Sequence, residues 1–569
     1  MAAVITLWNC MNLGCYAQSL LLCFAVQACC SAAMLCCLSK MDSKEVKELN
    51  SEEIPHTALQ PLFNEGVVFP NFENLLFLEV QGFGSIKYLL SSFNARFMVQ
   101  LKHLHIVECK VMEEILATED LGEEVIISKM FPRLECIMLK DLPILKRFCI
   151  GSNIEFPFLK QLWIENCPKL NSFIFKYVTS SMTLSNEVKE INLEEISYTA
   201  MQPLFNEEVA FPSLETLKLS HMENLKIIWP DQFAGYSFFK LQVLKVEFCE
   251  SLMHIFQSNM LTRFHSLEKL SVTDCGVEEI VVRDEVAVGT VLFPKATHLI
   301  LRKLPKLKWL YQGVQTLEWP LLKELEVSEC DQLRIFATKN LNFNETIEQS
   351  QLESSIQQPL FLVQEGTFPN LEVLTLVRNY NMKEIHCGQF LEECFYKLKV
   401  LKMNVCPDVS ILIPSSVSFQ NLTNLEILNG HGLINLVTSS TAKNLVQLKK
   451  LSVSECERMT EVVAGEGGEA DEVITLSQLT NLQLDCLPNL TSFCSGSYSF
   501  EFPSLEEVIV RQCPQMKIFC HGVYKTPKLE RVQATKEDEW HWKVDLNTTV
   551  RTLALEGQIM IPPYNSSTE

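Results

Sequence analysis

Cysteine is the residue whose spacing comes nearest to chemistry in this sequence. Cys109, Cys167, Cys249, Cys275, Cys330, Cys406, Cys456 and Cys513 each stand eight residues after a leucine, and Asn379 fills the same slot after Leu371. Thiols could hold zinc, form disulfides or act as nucleophiles. A zinc site needs two or more ligands close in sequence, as in C-x-x-C, whereas these thiols come one at a time. Neighbouring strands would bring the slots roughly 5 Å apart, close enough for pairing but poorly aimed for it. The spacing therefore reads as a scaffold: a small buried group with a weak donor, placed where a strand turns inward.

Other candidate chemistry is sparse. His103 and His105 flank Leu104 with Cys109 nearby, and they read as exposed strand decoration rather than metal ligands. The carboxylate doublets Glu113-Glu114 and Glu278-Glu279 recur before Ile115 and Ile280. A catalytic acid pair is needed only once, so their recurrence argues for framework. His541, between Trp540 and Trp542, reads as terminal packing. There is no H-E-x-x-H, C-x-x-C or G-x-S-x-G motif. The glycines around Gly465-Glu466-Gly467-Gly468 sit among acids that would repel a phosphate. No catalytic residue, cofactor or metal is expected.

The elements that position these residues come from a repeated template, L-x-x-L-x-[LIVM]. Clear copies begin at Leu101, Leu159, Leu214, Leu241, Leu267, Leu322, Leu371, Leu398, Leu448, Leu479 and Leu505. Weaker ones begin at Leu75, Leu134, Ala296, Leu425 and Leu529, which makes 16. Their spacing approaches the leucine-rich-repeat period, and the cysteines occupy the N/C position of that consensus. Alternation within each copy predicts a short strand with one buried face. The expected fold is an α/β solenoid: an irregular leucine-rich-repeat horseshoe with a parallel concave sheet and short helical, 3-10 or irregular convex segments.

A larger duplication overlies the repeats. Glu52-Glu53-Ile54 through Gln60-Pro61-Leu62-Phe63-Asn64-Glu65 resembles Glu194-Glu195-Ile196 through Gln202-Pro203-Leu204-Phe205-Asn206-Glu207, and Ile356-Gln357-Gln358-Pro359-Leu360-Phe361 is a shorter third copy. The chain then divides into a lead-in (41–74) and three repeat blocks (75–176, 211–336 and 368–534). Polar, acidic surface excursions (177–210 and 337–367) separate the blocks, and a cap and tail (535–569) close the chain.

The balance of 48 Lys and Arg against 69 Asp and Glu leaves a net charge of −21. Nucleic-acid affinity comes mainly from phosphate neutralisation, so a polyanionic partner is disfavoured, and a basic protein surface suits this charge better.

Several stretches carry a family resemblance. Phe131-Pro132-Arg133-Leu134 with Leu142-Pro143-Ile144-Leu145 alternates with Phe156-Pro157 and Cys167-Pro168-Lys169-Leu170. Phe293-Pro294 with Leu304-Pro305-Lys306-Leu307, and Phe502-Pro503-Ser504-Leu505 with Cys513-Pro514, repeat the two patterns. Together they resemble the C-terminal repeat region of plant coiled-coil, nucleotide-binding, leucine-rich-repeat disease-resistance proteins, over about residues 41–552. The resemblance implies a sensor that recognises a pathogen effector, or a host protein modified by one, in the defence response. Its partners would be that effector, a guarded host protein or a nucleotide-binding receptor chain. The phosphate-cradling loop G-x-x-x-x-G-K-[ST] of those receptors is absent from this sequence, so the resemblance implies a sensor without its nucleotide switch. A non-immune adaptor or decoy, of the ubiquitin-ligase substrate-receptor type, is the alternative. An F-box-like helical segment would then be needed ahead of the repeats, and residues 41–68 are short for one.

Residues 1–40 stand apart. They hold Cys10, Cys15, Cys23, Cys29, Cys30, Cys36 and Cys37, with no charged side chain until Lys40. Leu20–Leu38 has the length and apolarity of a membrane helix. A secretory signal would want Lys or Arg ahead of it. A translation start at Met41, a membrane or signal segment, and a buried cap remain open readings. Fifteen further thiols in the repeats favour a reducing compartment. The expected location is cytoplasmic, or membrane-associated if the first 40 residues insert.

With leucines facing the core, the positions four and six after each first leucine face the concave side. They name the candidate partner-binding face: His105, Trp163, Glu165, Lys218, Lys245, Glu247, Glu326, Lys402 and Arg511. Trp163 would be the anchor, since aromatic and Arg residues dominate interface energetics.

Overall fold

The computed structural model describes residues 3–9, 21–24, 74–117, 131–175, 202–282, 293–311, 319–333, 369–378, 396–404, 419–465, 472–534 and 540–556, apart from residues 85, 92–94, 96, 152, 231–232 and 234–235. The chain divides into two compact units, Met1–Ala287 and Val288–Glu569.

In the first unit a parallel ladder runs through Leu75–Gln81, His103–Val107, Cys136–Lys140, Gln161–Glu165, Thr216–Ser220, Val243–Cys249 and Lys269–Cys275. Its register stacks like on like: Leu78, Leu104, Ile137, Leu162, Leu217, Leu244 and Leu270 form one buried file. Because side chains alternate along a strand, one face of the sheet is apolar core and the other stays open. Ahead of the ladder, Ala3–Asn9 and Leu21–Phe24 pair antiparallel, and Ala3–Asn9 also lies antiparallel to Leu75–Gln81.

The second unit repeats the design through His298–Arg302, Glu324–Ser328, Val373–Val377, Val400–Asn404, Asn424–Leu428, Lys450–Ser454, Asn481–Asp485, Glu507–Arg511 and Val532–Gln533. Trp540–His541 pairs antiparallel with the last of these strands. A helix, Leu546–Leu555, follows, capped by the Asp545 carboxylate, which accepts from the Thr548 N–H at 2.7 Å. Here the structure corrects one register: the template read from Leu425 begins at Leu422, since Leu422, Leu425 and Ile427 are the buried residues. Its slot is then Gly430, where a Cβ would come within 3.1 Å of the Cys456 Sγ and closer still to Leu433.

Local chemistry explains how each strand starts and stops. Phe-Pro-x-Leu closes a tight turn before the strand: the Leu505 N–H donates to the Phe502 carbonyl at 3.4 Å, and Leu159 and Ala296 do the same to Phe156 and Phe293. Proline suits the second position of such a turn, and the aromatic ahead of it drops into the core. At the far end one residue adopts positive φ, for example Glu108, Asn166, Asp274, Glu329, Glu455 and Gln512, with φ between 50° and 57°. A non-glycine residue there costs roughly 1–2 kcal/mol. The cost is offset because the turned residue still serves the ladder: the Asn166 N–H reaches the Ser220 carbonyl at 2.9 Å and the Glu329 N–H reaches the Val377 carbonyl at 2.8 Å.

Behind the sheet lies a run of aromatics in the first unit. Phe148 stacks on Phe173 at 5.0 Å, Phe156 on Phe211 at 5.5 Å, and Phe205 meets Phe211, Trp229 and Phe238. Phe205 and Leu204 are fully buried and Val209–Ala210 pairs with Ile154–Glu155. The last nine residues of the expected excursion 177–210 thus dock into the core through Leu204, Phe205 and Val209, while Gln202 and Glu207 stay exposed, because the Gln-Pro-Leu-Phe motif supplies apolar side chains to the aromatic run. The corresponding motifs at Gln60 and Gln358, and the excursion 337–367, lie outside the described residues. Helix is sparse among the described residues and includes a 3-10 turn at Ser258–Phe264, a short helix at Ser439–Lys443 and the terminal helix. No described helix is long and apolar enough to cross a membrane, and most of Leu20–Leu38 lies outside the described residues.

Candidate interaction surface

Counted in register with His103–Val107, the first, third and fifth positions of the five-residue ladder strands lie on the open face, and Phe77, Glu79 and Gln81 fill them on Leu75–Gln81. In the first unit the third-position row is Glu79, His105, Met138, Trp163, Lys218, Lys245 and Ser271. The fifth-position row includes Lys140, Glu165, Ser220 and Glu247. Trp163 is half-buried between Met138 and Lys218 in its row.

Four of the expected residues form one network. Glu165 takes Lys140 at 2.8 Å and Lys218 at 3.5 Å, while Glu247 takes Lys245 at 2.8 Å and Lys218 at 3.9 Å. The hydrogen bond from Lys140 holds the Glu165 carboxyl below the usual range, against partial burial and with help from Lys218. Lys140 was missed in the sequence, although a fifth-position residue follows from the same period-two rule.

In the second unit the expected residues pair separately. Glu326 receives a two-pronged contact from Arg302, at 2.5 and 2.6 Å. Lys402 and Lys450 share Glu426 at 3.3 and 3.1 Å, and burial of that carboxyl is outweighed by the two ammonium groups, which hold it low. Arg511 approaches Asp485 at 3.5 Å, with both side chains largely covered. Arg302, Glu426, Lys450 and Asp485 were not singled out in the sequence, because only a neighbouring strand reveals them as partners.

The slot cysteines sit on the opposite side, at the inward turn. The Cys167 thiol donates to the Glu165 carbonyl at 3.5 Å and the Leu139 carbonyl of the preceding strand at 3.8 Å. Cys109, Cys275, Cys330 and Cys513 make the same two contacts, and Cys249 and Cys456 reach their own strand's carbonyl at 3.3 Å. Burial pushes the Cys109 thiol up to about 11, and those of Cys167, Cys330, Cys456 and Cys513 up to about 12. Cys249 and Cys275 are in register, and a hydrogen bond between their thiols lowers the first and raises the second. Asn379 and Cys406 lie outside the described residues. In four other repeats the slot holds buried Leu142, Met222, Leu304 or Leu487, so an apolar group serves there as well as a thiol.

The carboxylate doublet is framework in its contacts. Glu113 is gripped by Lys87 at 3.4 Å and Lys146 at 3.2 Å, and Glu114 by Arg147 at 2.7 Å. Burial raises the Glu114 carboxyl despite the Arg147 guanidinium.

The histidines depart from expectation. Cys109 is not their neighbour, since its side chain points into the core. His103 instead opposes Cys136 across the ladder, and the Cys136 Sγ lies 3.8 Å from the His105 Nε2. Donor atoms of His103, His105 and Cys136 all fall within 4.8 Å of one another. Phe77 packs edge-on to the His105 ring at 4.8 Å and against His103 at 5.8 Å. Burial lowers the His105 imidazole, with Glu79 opposing and His103 assisting, and burial pushes the Cys136 thiol up to about 11.

A family model described as plant disease resistance protein RPS2-like leucine-rich repeats matches residues 28–195, 213–344 and 416–534. The chain belongs to that family. A probable disease resistance protein of Arabidopsis thaliana, At4g27220, is 27% identical over 218 residues, 37% of this chain and 22% of that relative's length. The match thus spans less than a quarter of the relative. Among solved structures, the plant peptide hormone receptor RGFR1 in complex with RGF2 is 12% identical, with 81% of this chain and 87% of that one covered and a TM-score of 0.20. A leucine-rich repeat protein from Bacteroides ovatus is also 12% identical, over 57% of this chain and 75% of that one, with a TM-score of 0.14. The structural likenesses are too low to carry an argument about this chain.

Proposed function

We propose that the open face of the sheet recognises a protein in plant defence, either a pathogen effector or a host protein that an effector has modified. One observation carries the reading: the run Lys140–Glu165–Lys218–Glu247–Lys245 beside Trp163, displayed on a frame whose buried files barely change. A charged surface of this kind fixes partner choice and register, and a flanking Trp supplies the anchor. Membership of the disease-resistance repeat family supports the biological setting. The slot cysteines serve as scaffold in this reading, and no residue is assigned a catalytic role.

The test is affinity capture with the full chain from plant tissue inoculated with a pathogen, alongside the Trp163→Ala, Lys218→Ala and Lys245→Ala variants. A captured effector, guarded host protein or nucleotide-binding receptor chain should be lost or weakened. Loss of the Trp163 anchor alone should cost about 2 kcal/mol or more, roughly thirtyfold in Kd. Unchanged capture by all three variants would overturn the assignment of this face. Capture of ubiquitin-ligase subunits alone would overturn the immune reading in favour of an adaptor.

A further inference from the structure

We propose that His103, His105 and Cys136 form a zinc site on the open face of the first repeats. The argument begins with strand geometry. His103 and His105 are two residues apart on His103–Val107, so both rings leave the same side of the sheet. Parallel pairing sets Cys136, the first residue of the next strand, directly opposite His103. Two imidazoles and a thiol thereby meet at one spot, each from a backbone that the ladder holds in place.

The distances suit a small tetrahedral cation. Zn–N bonds of about 2.0–2.1 Å and Zn–S bonds of about 2.3 Å set neighbouring donors roughly 3.3–3.7 Å apart around the metal. The Cys136 Sγ and His105 Nε2 are 3.8 Å apart, and the whole donor set lies within 4.8 Å. The widest pair must close by up to about 1.5 Å, which rotations shared between two side chains can supply.

The donor chemistry narrows the metal. Two imidazoles with one thiolate form a borderline-soft set that suits zinc and is poor for calcium or magnesium. Cys136 binds as thiolate, so its proton passes to the buffer on binding, and both imidazoles coordinate neutral. Three protein ligands leave a fourth position. Glu79 pairs with His105 on the preceding strand and offers the carboxylate on that side for the fourth position, directly or through a water. Phe77, two residues before Glu79 on the same strand, packs against both rings. The site would join the first three repeat strands on the face that the sequence leaves variable.

The test uses the full-length protein, stripped with chelator and titrated with zinc against a chromophoric competitor, then with cobalt(II). The wild type should bind one equivalent more than Cys136→Ser. Its cobalt form should show a thiolate-to-cobalt charge-transfer band that Cys136→Ser lacks. Because the chain has other thiols, the readout is the difference between variants, and Cys486→Ser should leave both count and band unchanged. His103→Gln alters a side chain on the sheet surface and leaves the core intact, so it carries the test if Cys136→Ser fails to fold. It should weaken zinc by more than about 100-fold, since even a residue that only orients a ligand is worth up to about that much. Equal stoichiometry and an equal cobalt band in wild type, His103→Gln and any folded Cys136→Ser would overturn the site.

Discussion

Cys167 and Cys136 sit one repeat apart in the same unit and share a residue type, yet the sheet puts them to opposite uses. Cys167 follows the turn residue Asn166, points inward and donates its S–H between two backbone carbonyls. Cys136 opens a strand, faces outward and meets an imidazole. What differs is position in the repeat: the inward turn demands a buried group and tolerates Leu or Met in its place, whereas the open face tolerates almost anything. An inward residue is therefore explained by its own repeat, and an outward one only by its neighbours.

The sharpest way to break that contrast is to cut into the core at a place where the sequence reads as surface. Phe205→Ala should cost about 3–5 kcal/mol, because the ring is fully buried among Phe173, Phe211, Trp229 and Phe238. Chemical denaturation of the full chain measures it. A cost below about 1 kcal/mol would return residues 202–210 to the surface excursion and remove the aromatic run as the first unit's spine.

The same contrast explains how much of the molecule could be read in advance. The template positions, from Leu101, Leu104 and Ile106 to Leu505, Val508 and Val510, are legible because burial imposes the same residue types on each strand. The exception, Leu425 for Leu422, arises where Gly430 fills the slot that Cys, Leu or Met occupies in most other repeats. Phe205 was misplaced because acidic neighbours dominate the composition of its segment, while two apolar residues suffice to dock it. On the open face, Glu165, Lys218, Lys245 and Glu247 were found by counting along strands. Their joining through Lys140, and the meeting of His103 with Cys136, depend on strands separated by repeats of unequal length. No spacing along the chain encodes that adjacency.

A smaller perturbation tests the inward slot itself. Cys167→Ala removes two weak hydrogen bonds and leaves a small void, which should cost about 1–2 kcal/mol. Cys167→Ser keeps a donor of similar size and should cost less than the alanine variant if the two carbonyl contacts matter. Equal losses in both would assign the slot to packing alone. Alkylation gives an independent check, since a thiol pushed up to about 12 by burial presents almost no thiolate near neutrality. Native Cys167 should therefore stay unlabelled while the less buried Cys486 reacts.

The smallest effect belongs to the open face, where charges are half in water. Glu165→Gln should cost at most about 1 kcal/mol at neutral pH, as surface ion pairs do, and less at high salt. Its pH dependence has a definite sign. The Glu165 carboxyl is held low by Lys140, against partial burial, so its contribution is present above the ordinary carboxylate value and is lost as pH falls through the lowered one. Glu113 and Glu426, also held low between two lysines, add to the same acid-side loss. Comparing the urea midpoints of wild type and Glu165→Gln from neutral pH downward should show the gap closing in acid. A gap that stays constant, or that salt does not shrink, would mean that Glu165 is packed into the frame. The open face would then be more like the inward one than its exposure suggests.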